Sequence, residues 1–172
     1  MATAAVESNC GQFTLEMGNL AYFETKSYGH NDRGVGYLQL THRSSQLTFL
    51  KTMNDNYLGE KTAEYIDENY NPWLVSAYVW STQMFGQGVI LNEYASTHGD
   101  SLGVFIVTQY FINGWPGGSE ANNDLRVIRE GSLAYNIDVA TNMLNVNGNQ
   151  YRLPNGWEKR QEAYYSAINI FK

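Results

Sequence analysis

The segment from Pro72 to Phe85 is apolar on almost every side, carrying Trp73, Leu74, Val75, Tyr78, Val79, Trp80 and Met84. A helix without a polar face has no stable place on a surface, so this one is expected at the centre of a domain. Asn71 followed by Pro72 supplies a start signal, and Gly86 and Gly88 supply the stop. Two amphipathic helices are predicted ahead of it. Residues 43–53 and 60–69 offer apolar faces through Leu47, Leu50, Tyr65 and Ile66.

Further along, a short helix is expected from Ile90 to Ser96, then a turn at His98, Gly99 and Asp100. Ser101 to Ile112 follows as a second buried helix built on Val104, Phe105, Val107 and Phe111. Its β-branched run would also suit a strand, and helix is the reading adopted. Asn113 to Ser119 is a loop rich in Gly and Pro. A long helix is predicted from Asn123 to Met143, a hairpin over Asn145 to Arg152 turning on Asn147 and Gly148, and a last helix from Trp157 onward. The fold class read from these elements is mainly α, a helical bundle around an apolar central helix with a small β-hairpin region.

At 172 residues the chain is long enough to bury a core of its own, and one domain spanning 1–172 is expected. The net charge of −6 argues against nucleic-acid binding, which needs clustered Lys and Arg, and no nucleic-acid partner is expected. Cys10 is the single cysteine, so no internal disulfide can form. No stretch is apolar for the roughly 20 residues that cross a bilayer, and a soluble monomer is predicted. Met1 runs directly into Ala2 to Val6, which reads as the middle of an apolar helix. The chain is thus expected to be a piece excised from a larger protein that carries any targeting information.

The chemistry is expected in the first 45 residues. Glycosidic cleavage needs one protonated and one ionised carboxyl group on opposite sides of a sugar. Glu7 and Glu16 are the candidate pair. In one unbroken helix, positions nine apart would point to opposite faces, so a break is required, and Asn9 and Gly11 provide it. Glu7 would close an apolar helix, where Ala4, Ala5 and Val6 favour its protonated form. Glu16 would stay ionised in a polar loop.

Several segments, in order, carry a resemblance. Val6-Glu7-Ser8-Asn9-Cys10-Gly11-Gln12-Phe13-Thr14-Leu15-Glu16 resembles the His-Glu-Ser, Gly-x-Phe and following Glu of bacterial and phage members of glycoside hydrolase family 19. Gly34 to Thr41 is similar to that family's Gly-Arg-Gly-x-Ile-Gln-Leu-Ser/Thr segment, and Phe111-Ile112-Asn113-Gly114 to its Ile-Asn-Gly-Gly loop. Asp124-Leu125-Arg126 resembles the Asp-Arg that follows. Ser76-Ala77-Tyr78-Val79-Trp80 and Leu91-Asn92-Glu93-Tyr94-Ala95 are similar to its Ser-Ala-x-x-Trp and Leu-Asn-x-x-Ala helices.

The resemblance implies an α+β lysozyme-like fold with the hairpin region beside a cleft, and an inverting reaction with Glu7 as acid and Glu16 as base. It implies that Thr41 positions the attacking water, that Gln39 and Asn113 bind the sugar's N-acetyl and hydroxyl groups, and that Arg126 supports the carboxylates. Two positions depart from the pattern. The family's His before the first Glu is Val6, and the Arg between the glycines is Val35, with Arg33 a candidate to supply the lost charge. Tyr37, Tyr28 and Trp115, in loops beside the motifs, are candidate sugar-stacking residues.

Family members act on chitin or peptidoglycan. The nine-residue interval between the glutamates is like that of phage and bacterial lytic members, whereas plant chitinases carry a longer insert there. The expected activity is a peptidoglycan hydrolase, or muramidase, acting on the bacterial cell wall in the periplasm or outside the cell. Chitinase activity and a catalytically dead glycan-binding module are the alternatives. Lytic domains of phage endolysins and of type VI secretion effectors look similar, and an effector would have an immunity protein as partner. His30, His42 and His98 lack a metal-ligand spacing, so neither metal nor other cofactor is expected. Asn54-Asp55-Asn56 reads as a helix-ending turn, and Ser8 as a cap.

Overall fold

The computed structural model describes residues 2–7, 11–82, 84–85, 88–114, 116, 118–129 and 134–171. The protein is mostly helical, with a small antiparallel sheet, as the apolar periodicity predicts. It divides into two compact units, Thr3–Thr82 and Gln83–Lys172.

The first unit holds α1 (Ala2–Glu7), α2 (Leu20–Glu24), α3 (Arg43–Thr52), α4 (Thr62–Asn69) and α5 (Pro72–Thr82). Its core gathers Phe23, Val35, Leu40, Phe49, Leu50, Ile66, Val75 and Val79. Phe49 meets the rings of Tyr70 and Tyr78 edge-on, at 5.1 and 5.2 Å. Helix α5 starts where Asn71 says it should, because the Trp73 N–H donates to the Asn71 side chain at 2.8 Å. After α3, Asn54 takes φ 57° and the Asp55 N–H donates to Leu50 O at 2.9 Å, which is the helix-ending turn expected there.

The second unit holds a two-stranded pair, β1 (Met84–Phe85) and β2 (Val89–Ile90), then α6 (Leu91–His98), α7 (Leu102–Asn113) and α8 (Gly118–Arg129). A three-stranded meander, β3 (Tyr135–Asp138), β4 (Met143–Val146) and β5 (Asn149–Arg152), precedes α9 (Trp157–Phe171). Helix α7 is buried along nearly its whole length, from Gly103 to Phe111. A Cβ on Gly103 would stand 3.0 Å from Ile128 O, so glycine lets α8 approach closely.

Two expectations are corrected here. The apolar helix buried on all sides is α7, not the 72–85 segment: Trp73 and Leu74 on α5 are 49% and 43% exposed. The long helix over 123–143 is also not formed. Helix α8 runs from Gly118 to Arg129, and Tyr135 to Asp138 pair instead with Met143 to Val146. The reason is alternation: Tyr135 and Ile137 share one strand face, and pairing with Val146 and Leu144, both buried, outweighs local helix preference. The hairpin turn falls where expected, with Asn147 at φ 50° and Gly148 at φ 82°, the signs a two-residue type I′ turn requires.

Candidate functional site

Glu7 is the last residue of α1, and Gly11 follows at φ +87°, a left-handed conformation that glycine adopts without steric cost. Past that turn the chain runs as an extended segment against the 34–41 loop. The Glu16 N–H donates to Gly34 O at 2.8 Å and the Gly36 N–H to Thr14 O at 2.7 Å, while Leu15 bridges Val35 and Val35 bridges Leu40. These short ladders place Glu16, Gln39 and Thr41 side by side.

The 34–41 loop is tightly specified. A Cβ on Gly34 would collide with the Gln39 carboxamide, and one on Gly36 (φ +74°) would stand 2.8 Å from the Val75 side chain. Gln39 and His42 hold φ 55° and 71°, left-handed values that cost a non-glycine residue about 1–3 kcal/mol each. Buried Gln46 on α3 helps to hold the loop in this shape. Its amide nitrogen donates to Arg33 O at 2.8 Å and Leu40 O at 3.0 Å. Positive φ at Gln39 and His42 thus brackets Thr41.

The result is a groove of ≈520 Å³ lined by Glu7, Phe13, Leu15, Glu16, Met17, Tyr28, Gln39 and Thr41. That volume lies in the range of small-ligand pockets, about 300–1,000 Å³. Glu7 and Glu16 therefore face one space. Phe13, Leu15 and Met17 supply apolar lining, and the carboxylates, phenol, amide and hydroxyl supply polar groups. Phe13 and Met17 are 43% and 70% exposed, so this apolar lining is accessible from solvent. A pyranose ring, with C–H faces and a hydroxylated edge, suits such a groove.

Glu16 is closely held. Its Oε1 accepts from the hydroxyls of Tyr22 at 2.9 Å and Tyr28 at 2.8 Å, and its Oε2 from the Gly34 N–H at 3.1 Å. Burial, and then the bond to Glu16, push the Tyr28 hydroxyl well above its ordinary value of 10.0, so it remains a donor. The Thr41 hydroxyl donates to Gln39 O at 2.7 Å, and the Gln39 amide nitrogen donates to Gly36 O at 2.8 Å.

Neither family models nor curated proteins match this chain. Among solved structures, the chain is similar to chitinase C from Streptomyces griseus HUT6037, with TM-score 0.47 and 20% identity over 76% of this chain. It spans 65% of that structure's chain.

Tyr37, Arg33, Asn113 and Arg126 are not among the lining residues of the groove. Tyr37 is not on the lining: its ring is edge-on to Trp73 at 4.6 Å, and its hydroxyl stands 3.5 Å from where a Cβ on Gly11 would be. It supports the turn rather than the groove. Arg33 does not supply the charge missing at Val35. Its guanidinium donates to Glu64 at 2.9 Å and to His30 O at 2.7 Å, and Val35 itself is 1% exposed, in the core. Asn113 ends α7 in the second unit, where its nitrogen donates to Gln109 O at 3.0 Å and its oxygen accepts from buried Arg160 at 2.9 Å. Arg126 is exposed on α8. Trp115 and Ser8 lie outside the described residues.

The sequence motifs point to neither Tyr22 nor Arg160. For Tyr22 a signal existed, since Asn19 caps α2 by accepting from the Tyr22 N–H at 2.9 Å, and that short helix sets the ring toward Glu16. For Arg160, a cation on the predicted last helix, nothing local marks the contact with Asn113, 47 residues away.

Proposed function

We propose that this chain is a glycoside hydrolase that cleaves the β-1,4 bonds of peptidoglycan, with Glu7 as general acid and Glu16 as general base. One observation carries the reading: both glutamates line a single open groove together with Gln39 and Thr41. The motif resemblance to glycoside hydrolase family 19 assigns the roles.

In this mechanism Glu7 gives its proton to the glycosidic oxygen as the C1–O bond breaks. A water attacks C1 from the other side of the ring and loses its proton to Glu16. Thr41 has a defined part, because its O–H is committed to Gln39 O and its oxygen lone pairs are left to accept from that water. Gln39 keeps its carboxamide oxygen for a sugar N-acetyl N–H. The apolar lining at Phe13 and Met17 packs the ring's C–H face. As a lytic domain the protein would act at the cell wall, and a partner that filled the groove would inhibit it.

Digestion of purified sacculi and of chitin oligomers, with the new reducing ends identified by mass spectrometry, tests this reading. Fragments ending in N-acetylmuramic acid are expected. Ends in N-acetylglucosamine, or cleavage of chitin alone, would overturn the substrate, and no cleavage of either polymer would overturn the enzyme.

A further inference from the structure

The three donors on Glu16 are distributed unevenly, and the distribution has a chemical meaning. A carboxylate oxygen has about two acceptor positions. On Oε1 both are occupied, by Tyr22 at 2.9 Å and Tyr28 at 2.8 Å, whereas Oε2 carries the Gly34 N–H alone, at 3.1 Å. Resting on the reading of Glu16 as the base, we infer that Tyr22 and Tyr28 are positioning residues that lock the Glu16 carboxylate so that Oε2 alone takes the proton from the attacking water.

Fold stability does not account for this arrangement. Tyr22 is 40% exposed, so its hydroxyl could be satisfied by water at no cost, yet it is turned to Glu16. Its ring is fixed from two sides, edge-on to Phe23 at 5.0 Å and beneath the Lys26 ammonium at 4.6 Å. Phe23 is 1% exposed and anchors α2 in the core. Tyr28 is fixed in turn by His42, edge-on at 5.3 Å. Two rings reaching Glu16 from α2 and from the loop after it, each braced by its own neighbours, hold one oxygen. Such bracing matters for catalysis because a misplacement of about 1 Å in a reacting group can cost about a hundredfold in rate.

The test uses the full chain with Tyr22→Phe, Tyr28→Phe, the double variant and Glu16→Gln, measuring kcat and KM on the substrate that wild type cleaves. Each phenylalanine keeps its ring and removes only the donor. Each single variant should lower kcat about tenfold and the double about a hundredfold, with KM within about twofold. A loss confined to KM, or unchanged kcat in the double variant while Glu16→Gln is inactive, would sink the clamp and leave the function standing. Full activity of Glu16→Gln would instead remove the base itself, and the clamp with it.

Discussion

Asp55 illustrates how single residues set the conditions under which the first unit holds together. Its carboxylate accepts from the hydroxyls of Tyr70 at 2.7 Å and Tyr65 at 2.8 Å and from the Tyr57 N–H at 2.9 Å. Tyr57 and Tyr65 stack at 3.8 Å beside it. The Tyr70 bond first, then that of Tyr65, lowers its pKa below the ordinary 3.8. A lowered acid contributes stability that is fully present above 3.8 and is lost as pH falls through the folded-state value. Wild type should therefore exceed Asp55→Asn in urea midpoint at pH 6, and the gap should close below pH 3.8. A gap independent of pH would contradict the assignment. Gln39 and His42 make a related point, since neither residue type signals the positive φ that each adopts.

At the scale of elements, the ladders joining 14–16 to 34–36 and Val35 to Leu40 bring the polar lining together, and Gly36 is the hinge on which they depend. Gly36→Ala would place a methyl 2.8 Å from Val75 and 3.2 Å from Pro72 O, at a φ of +74°. Backbone strain and overpacking together should cost about 2–4 kcal/mol, read as a lower denaturant midpoint. Activity should fall with it, because Gln39 and Thr41 ride on the same loop. Unchanged stability would mean that the loop does not rest on α5 as described. Elements with a strong local signature were legible in the sequence, among them the Asn71 start of α5, the Asn147-Gly148 hairpin and the Gly11 turn. The 123–143 segment was not, because strand β3 exists only by pairing with β4. Nor was the exposure of Trp73 and Leu74, which depends on packing rather than on periodicity.

Across the whole molecule, the groove is assembled between Glu7 and Thr41, a short stretch of chain within one unit. Of the groove residues, Glu7 and Glu16 are legible from carboxylate chemistry, Gln39 and Thr41 from motif resemblance, and Tyr28 from its loop beside the motifs. Asn113 and Arg126, by contrast, belong to the second unit and are tied to the chemistry by motif resemblance alone. The fate of Arg33, bonded to Glu64 on α4, likewise required the tertiary structure. In the proposed reaction Glu7 and Glu16 perform complementary proton transfers across one groove. It is tested most directly by the clearing of a suspension of purified sacculi by wild type, Glu7→Gln and Glu16→Gln, with melting temperature followed in parallel. Each variant should lose at least about a hundredfold in rate, the scale of a missing acid or base, with little change in melting temperature. Clearing at the wild-type rate by either variant would contradict the account.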